Sequence, residues 1–268
     1  MTWWTRVPLF PTSMRIDPTA FSPGEVLLWR HGVVEPDHID LDAIAAAEGV
    51  AVRYRPLSGC EARLVVVDDR GIISVRHNAA NIGRQRFSLA HELAHWMRDR
   101  HSGGALCSSD DISPSDMGAR SKETEANAYA SQLILPDYLV APKACALAPT
   151  LDAAQTLAKT FKSSMTAAAI KLVRHVPVPA WAVCHRPNRA GWFIRGGAAP
   201  ADLFVLTAEL HHDSPAFDLL YGSQGGRTRT HLEPASRWLS GSITRGKDVQ
   251  CQSMTLPDGS VLTMLSLK

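Results

Sequence analysis

No apolar run in these 268 residues approaches the roughly 18–20 needed to cross a bilayer, so no membrane span is expected. The start, Met1-Thr2-Trp3-Trp4-Thr5-Arg6, lacks a charged segment leading into an apolar stretch and does not read as a secretory leader. Cysteines are few and scattered. Cys60, Cys107, Cys145, Cys184 and Cys251 are odd in number and form no CxxC pair, which argues against a disulfide framework and against a cysteine zinc site. A reducing cytoplasm is the expected compartment. Charge of one sign is also scarce: the net charge of +2 is too small a surplus to argue for nucleic-acid binding, so direct DNA binding is not expected to be the primary activity. Internal repeats and low-complexity tracts are absent as well. What remains is an ordinary globular composition, 45% hydrophobic and 20% charged, long enough for a sizeable core.

Along the chain, a Pro-rich and aromatic start shows no clear period. Asp40, followed by Leu41, Ile44, Ala45, Ala46 and Ala47 and closed by Gly49, predicts a capped helix. Val50 to Arg55 alternates like a strand. Leu64-Val65-Val66-Val67, the turn Asp68-Asp69-Arg70-Gly71 and Ile72-Ile73-Ser74-Val75 continue the pattern. Together they predict a small antiparallel sheet ahead of a helix. That helix is expected from about Gly83 to Arg100, because Phe87, Leu89, Ala90, Leu93, Ala94 and Met97 recur at helical spacing, and Gly103-Gly104 would end it. After a loop over 102–118, a second helix is expected from Ser121 to Leu135, before Pro136. Short helices follow at roughly 137–147, 151–161 and 164–175, and His175-Val176-Pro177-Val178-Pro179 reads as a linker. Beyond it, Trp181 to Cys184, Gly191 to Ile194 and Ser253 to Leu256 read as strands, with a hairpin at Asp258-Gly259.

One run carries chemistry. His91-Glu92-Leu93-Ala94-His95 places two histidines four apart on a helix, hence on one face and one turn apart. Two imidazoles so placed can reach one zinc ion at about 2.0–2.1 Å. Glu92, rotated about 100° from His91, can lean over the open side and serve as general base toward the attacking water. A catalytic zinc needs a third protein ligand and an open position. Two residues compete for that place. His101 stands where a longer HExxHxxGxxH site would have its third histidine, but Arg98 occupies the glycine position, and a continuing helix carries His101 away. Glu123 is favoured: in Glu123-Thr124-Glu125-Ala126-Asn127 the carboxylate can bind the ion while Asn127, one turn on, accepts the other ring N–H of a ligand histidine. Glu125 lies about 200° around the helix from Glu123 and is expected in a salt bridge with Arg84 or Arg86.

Arg84-Gln85-Arg86-Phe87-Ser88-Leu89-Ala90-His91-Glu92-Leu93-Ala94-His95-Trp96, followed by Glu123 to Pro136, resembles the paired signatures of the ImmA/IrrE family of metallopeptidases. The resemblance spans roughly residues 38–145 and departs only in Tyr129 for a usual Phe and Ile134-Leu135 for Leu-Met. It implies a zincin-like fold, zinc held by His91, His95 and Glu123, and Glu92 as base. It also implies site-specific cleavage of a protein partner, commonly an Xre-type helix-turn-helix repressor, whose loss switches on a stress, DNA-damage or mobile-element programme. Manganese stands beside zinc as an alternative in the cell, since geometry and availability rather than affinity decide between them.

The expected whole is α+β. Residues 1–146 form a zincin-like metallopeptidase domain, built from a small antiparallel sheet, the HExxH helix and the Glu-bearing helix. A helical, helix-turn-helix-like segment follows over 147–178, then a β-rich, GAF-like sensor or interaction domain over 179–268. In the helical segment Lys159, Lys162, Lys171 and Arg174 are candidate phosphate contacts, set against solvated lysines on a core-covering pair. His211-His212-Asp213 reads first as an exposed loop, and Cys60 as a half-buried cysteine rather than a thiolate capping the zinc. A reading from another class stands beside the peptidase: a metal-binding regulatory or adaptor protein without turnover.

Overall fold

Helix α1 (Pro23–Arg30) starts at a capping box: Glu25 Oε2 accepts from the backbone N–H of Ser22 at 2.9 Å and from its hydroxyl at 2.6 Å. The structure is a computed structural model that describes residues 16–67, 69–78, 81–99, 117–187, 189–206, 210–222, 225–241 and 244–267. The expectations for the Pro-rich start before residue 16, for His101, for Gly103-Gly104 and for Cys107 fall outside the described residues. The chain divides into two units, with the boundary between Leu139 and Val140.

In the first unit, helix α2 (Leu41–Ala47) begins at Asp40, whose carboxylate accepts from the N–H groups of Asp42 and Ala43. It ends at Gly49, where φ is +84°, a conformation that glycine adopts without strain. Strands β1 (Val50–Arg55), β2 (Ala62–Val67) and β3 (Arg70–Arg76) form a sheet of order β1-β3-β2. The expected all-antiparallel sheet is corrected here: β2 pairs antiparallel with β3, but β1 pairs parallel with β3, from Val50↔Gly71 to Arg55↔Arg76. The hairpin returns β3 into the middle of the sheet, so it runs in the sense of the strand two before it. Hydrophobic alternation identifies strands but not their order.

Helix α3 (Ile82–Asp99) packs on β2 and β3, and helix α4 (Met117–Ile134) packs on α3 and α1. α4 begins a turn earlier than Ser121. Leu89, Ala90, Leu93, Ala94 and Trp96 of α3 are buried against Leu64, Ile73 and Val75 of the sheet, and each fully buried aliphatic side chain contributes about 1.5–3 kcal/mol. Trp96 is also fixed by its indole N–H, which donates to the Glu48 carbonyl at 2.9 Å. Gly71 lets it sit there: a Cβ at that position would lie 3.0 Å from Trp96 Cε3 and 2.9 Å from Val50 Cγ2. Glu25 ties the unit's ends, its Oε1 accepting from the N–H groups of Asp137 at 2.6 Å and Tyr138 at 3.3 Å, in the first turn of α5 (Asp137–Ala144).

In the second unit, α6 (Leu151–Thr160) and α7 (Met165–His175) are capped by Thr150 and Ser164, and Lys162 takes a φ of 51° in the turn between them. Strands β4 (Ala180–Arg186), β5 (Arg189–Arg195), β7 (His231–Pro234), β9 (Asp248–Thr255) and β10 (Val261–Leu267) form an antiparallel sheet of order β5-β4-β10-β9-β7, while β6 (Phe204–Val205) and β8 (Leu239–Ser240) form a separate ribbon. α6 packs on β9, and α7 on β4 and β5. The β9–β10 hairpin turns at Asp258-Gly259, as the sequence predicts, with Gly259 at φ +77°. Trp181, Trp238, Cys251 and Leu265 centre the core, together with Ala216 and Leu220 of helix α8 (Pro215–Tyr221). Lys171 is 4% exposed, which removes it from the candidate phosphate contacts. Among the described residues no helix is long and apolar enough to cross a membrane, and Cys60, Cys145, Cys184 and Cys251 are all free.

Candidate metal centre

Helix α3 presents Phe87, His91 and His95 on one face at successive turns, and α4 presents Glu123 and Asn127 toward them. His91 Nε2 lies 3.1 Å from Glu123 Oε2, His95 Nε2 lies 3.3 Å from Glu123 Oε1, and the two Nε2 atoms are 3.2 Å apart. Donors that meet one ion tetrahedrally at about 2.0–2.1 Å stand about 3.3–3.4 Å from each other. The contacts to Glu123 end on different oxygens of its carboxylate, so this is a triangle of three groups, of a size to close on one divalent ion. Its chemistry fits too. The Nδ1–H of His91 donates to Asn127 Oδ1 at 3.0 Å, which turns the lone pair of Nε2 toward the other donors. Burial, with His95 adding to it, holds the His91 pKa below its ordinary value against the pull of Glu123 and Asn127, so the ring is neutral and able to ligate.

Glu92 sits beside this triangle, 5% exposed. Its carboxylate accepts the backbone N–H of Leu64 on β2, and Oε2 has no hydrogen-bond partner. Burial pushes its pKa up to about 7, with Glu123 adding to the rise and His95 and the Leu64 N–H opposing it. A buried carboxylate beside the donor atoms is placed to take a proton from a water held there.

Of the residues singled out in the sequence, His91, Glu92, His95, Glu123 and Asn127 thus lie together. Glu125 points elsewhere, as its place on the helix predicts, but its partner differs: it pairs with Arg98 and accepts from the Ser121 hydroxyl at 3.1 Å. Arg84 instead pairs with Glu61, at 3.6 Å. Tyr129 is buried in the core, 6% exposed. His211, His212 and Asp213 also come within 4.8 Å of one another, but all three are half or fully exposed, and Asp213 is engaged by Arg237 at 3.3 Å. The contact between Leu64 and Glu92 went unseen in the sequence, because a strand-edge N–H carries no side-chain signature.

A buried HExxH glutamate beside two histidines and a second carboxylate is the centre of a metallopeptidase class. Residues 45–173 match the family model described as the IrrE N-terminal-like domain. Over 175 residues the chain is 30% identical to the radiation response metalloprotease IrrE of Deinococcus radiodurans, a match covering 61% of this chain and 50% of that protein. The chain thus spans about half the length of that curated relative. Among solved structures, a transcriptional regulator of Mycobacterium tuberculosis shares the fold with a TM-score of 0.58 at 12% identity, over 91% of this chain and 74% of that one. Residues 45–173 thus resemble an IrrE N-terminal-like domain, and over that stretch the chain is similar to the ImmA/IrrE family of metallopeptidases.

Proposed function

We propose that this protein is a zinc-dependent endopeptidase, of zincin-like architecture, that cleaves one specific protein partner. The observation that carries the reading is the grouping of His91, His95 and Glu123, whose ring nitrogens stand 3.2 Å apart and 3.1 and 3.3 Å from the two oxygens of the Glu123 carboxylate, beside the buried Glu92 carboxylate whose Oε2 is unbonded. When bound there, zinc polarises the scissile carbonyl and acidifies water; manganese is the alternative ion in the cell. The remaining work falls to the chain's own groups. Glu92 takes a proton from the attacking water and delivers it to the leaving amine. Leu64 holds that carboxylate in place, and Asn127 fixes the ring of His91. The substrate lies extended along β2, an outer strand of its sheet, whose free edge offers backbone groups for pairing.

The partner we propose is an Xre-type helix-turn-helix repressor, cut to release a stress or mobile-element programme in the cytoplasm. The likeness to the ImmA/IrrE family supports the choice. The second unit then acts as a GAF-like sensing or docking domain, and its α6–α7 pair as a helix-turn-helix-like cover rather than a DNA reader, in keeping with the burial of Lys171. Co-production of the protein with an Xre-type repressor from the same genome tests this. A discrete repressor fragment, seen by mass spectrometry with Glu92 intact and lost with Glu92→Gln, is the expected result. Equal amounts of fragment from both forms would refute the role of Glu92. An intact repressor that co-purifies with both forms would favour the adaptor reading.

A further inference from the structure

The active helix and its neighbouring strand run side by side in the same direction. Glu61, just before β2, reaches Arg84 at 3.6 Å; Leu64 meets Glu92; and Gly71, the register partner of Val66, lies against Trp96. The Glu92 carboxylate is therefore midway along the seam between α3 and the free edge of β2, and one exposed apolar side chain stands toward each end of it. Toward one end stands Phe87, one turn before His91, its ring 6.4 Å from the imidazole and 36% exposed. Toward the other stands Val66, two residues past Leu64, its side chain on the α3 face of the strand and the residue 41% exposed. Leu64 and Ala62, which share that face, are buried. Apolar area left in water beside a polar centre is regained, at about 25 cal/mol per Å², when an apolar partner covers it.

We propose that Phe87 and Val66 determine specificity, each receiving an apolar side chain of the substrate on opposite sides of the scissile bond. Their reach follows from element geometry. Phe87 stands about 7.5 Å along the helix axis from Glu92, and Val66 about 6.6 Å along the strand from Leu64. At about 3.3 Å per extended residue, both fall within about two positions of the bond. The substrate class, resting on the peptidase reading above, is an extended protein segment with apolar residues at those two places.

The test uses the zinc-loaded full chain and a library of unstructured peptides, with cleavage sites read by mass spectrometry. The unaltered protein should enrich apolar residues at one position on each side of the cut. Phe87→Ala should flatten one preference and Val66→Thr the other. For either variant the kcat/KM ratio between apolar and polar peptides should fall about tenfold or more. Phe87→Leu, which keeps an apolar wall, should retain the preference and guards against a folding defect, as do zinc content and circular dichroism. A binding arm removes turnover: in a Glu92→Gln background, Phe87→Ala should raise the Kd of a fluorescent apolar peptide. Cleavage whose profile is the same in all forms overturns this proposal and leaves the peptidase reading standing. A zinc-loaded protein that neither cuts the library nor binds the peptide overturns both.

Discussion

Burial decides what Glu92 can do, and it gives the residue a measurable stability signature. Its pKa of about 7 in the fold lies above its ordinary value of 4.5. The protonated form is thus favoured by folding: its contribution is complete below about pH 4.5 and is lost as pH rises through about 7. A shift of this size corresponds to about 3 kcal/mol. A dication in the triangle would pull the carboxyl back toward ionisation, so the measurement belongs to chelated protein. We expect Glu92→Gln to match the unaltered protein near pH 4 and to exceed it by about 3 kcal/mol at pH 8 in urea unfolding. A constant difference across that range would mean that the carboxyl is not desolvated. Asn127 acts one step further out, orienting His91 through a single bond of 3.0 Å. Asn127→Ala should weaken zinc binding about 10–100-fold in competition with a chromophoric chelator. An unchanged affinity would show that the ring is held by its packing alone.

Elements matter here through the seat of α3 on the sheet. That seat depends on Gly71, where an added Cβ would stand 2.9 Å from Val50 Cγ2 and 3.0 Å from Trp96 Cε3, closer than packed atoms approach. Trp96 cannot yield easily, because its N–H is bound to Glu48. Gly71→Ala should therefore destabilise the protein by about 1–3 kcal/mol in thermal or urea unfolding, and zinc affinity should fall with it as His95, the preceding residue, is displaced. An unperturbed midpoint would mean that the sheet shifts to admit the methyl. The elements that carry the site were plain in the sequence for a local reason: α3 and α4 repeat their apolar residues at helical spacing, and their metal donors stand one turn apart or one turn from an oriented amide. What stayed hidden is non-local. The parallel pairing of β1, the choice of Arg98 over Arg84 for Glu125, and the edge N–H of Leu64 under Glu92 depend on how elements cross, which periodicity does not encode. Helix α1 is a different case, for Ser22-Pro23-Gly24-Glu25 is a local capping box that outweighs the chain's poor periodicity there.

Over the whole chain, the centre is confined to one of two units. His91, His95, Glu123 and Asn127 all precede Leu139, the last residue of the first unit, and all stand on α3 and α4. The second unit has a core of its own around Trp181, Trp238 and Cys251. A ligand that binds only the folded state stabilises by mass action, about 2.7 kcal/mol at a free concentration one hundred times its Kd. That energy acts on the segments whose opening breaks the site. Chelation should therefore raise amide hydrogen exchange over Ile82–Asp99 and Met117–Ile134 and leave Ala180–Arg186 and Val261–Leu267 as protected as before. Exchange mass spectrometry with and without saturating zinc measures both at once. Equal deprotection of all four segments would mean that the units open as one cooperative body. Deprotection restricted to α3 and α4 would mean that the folding of the second unit is indifferent to the metal.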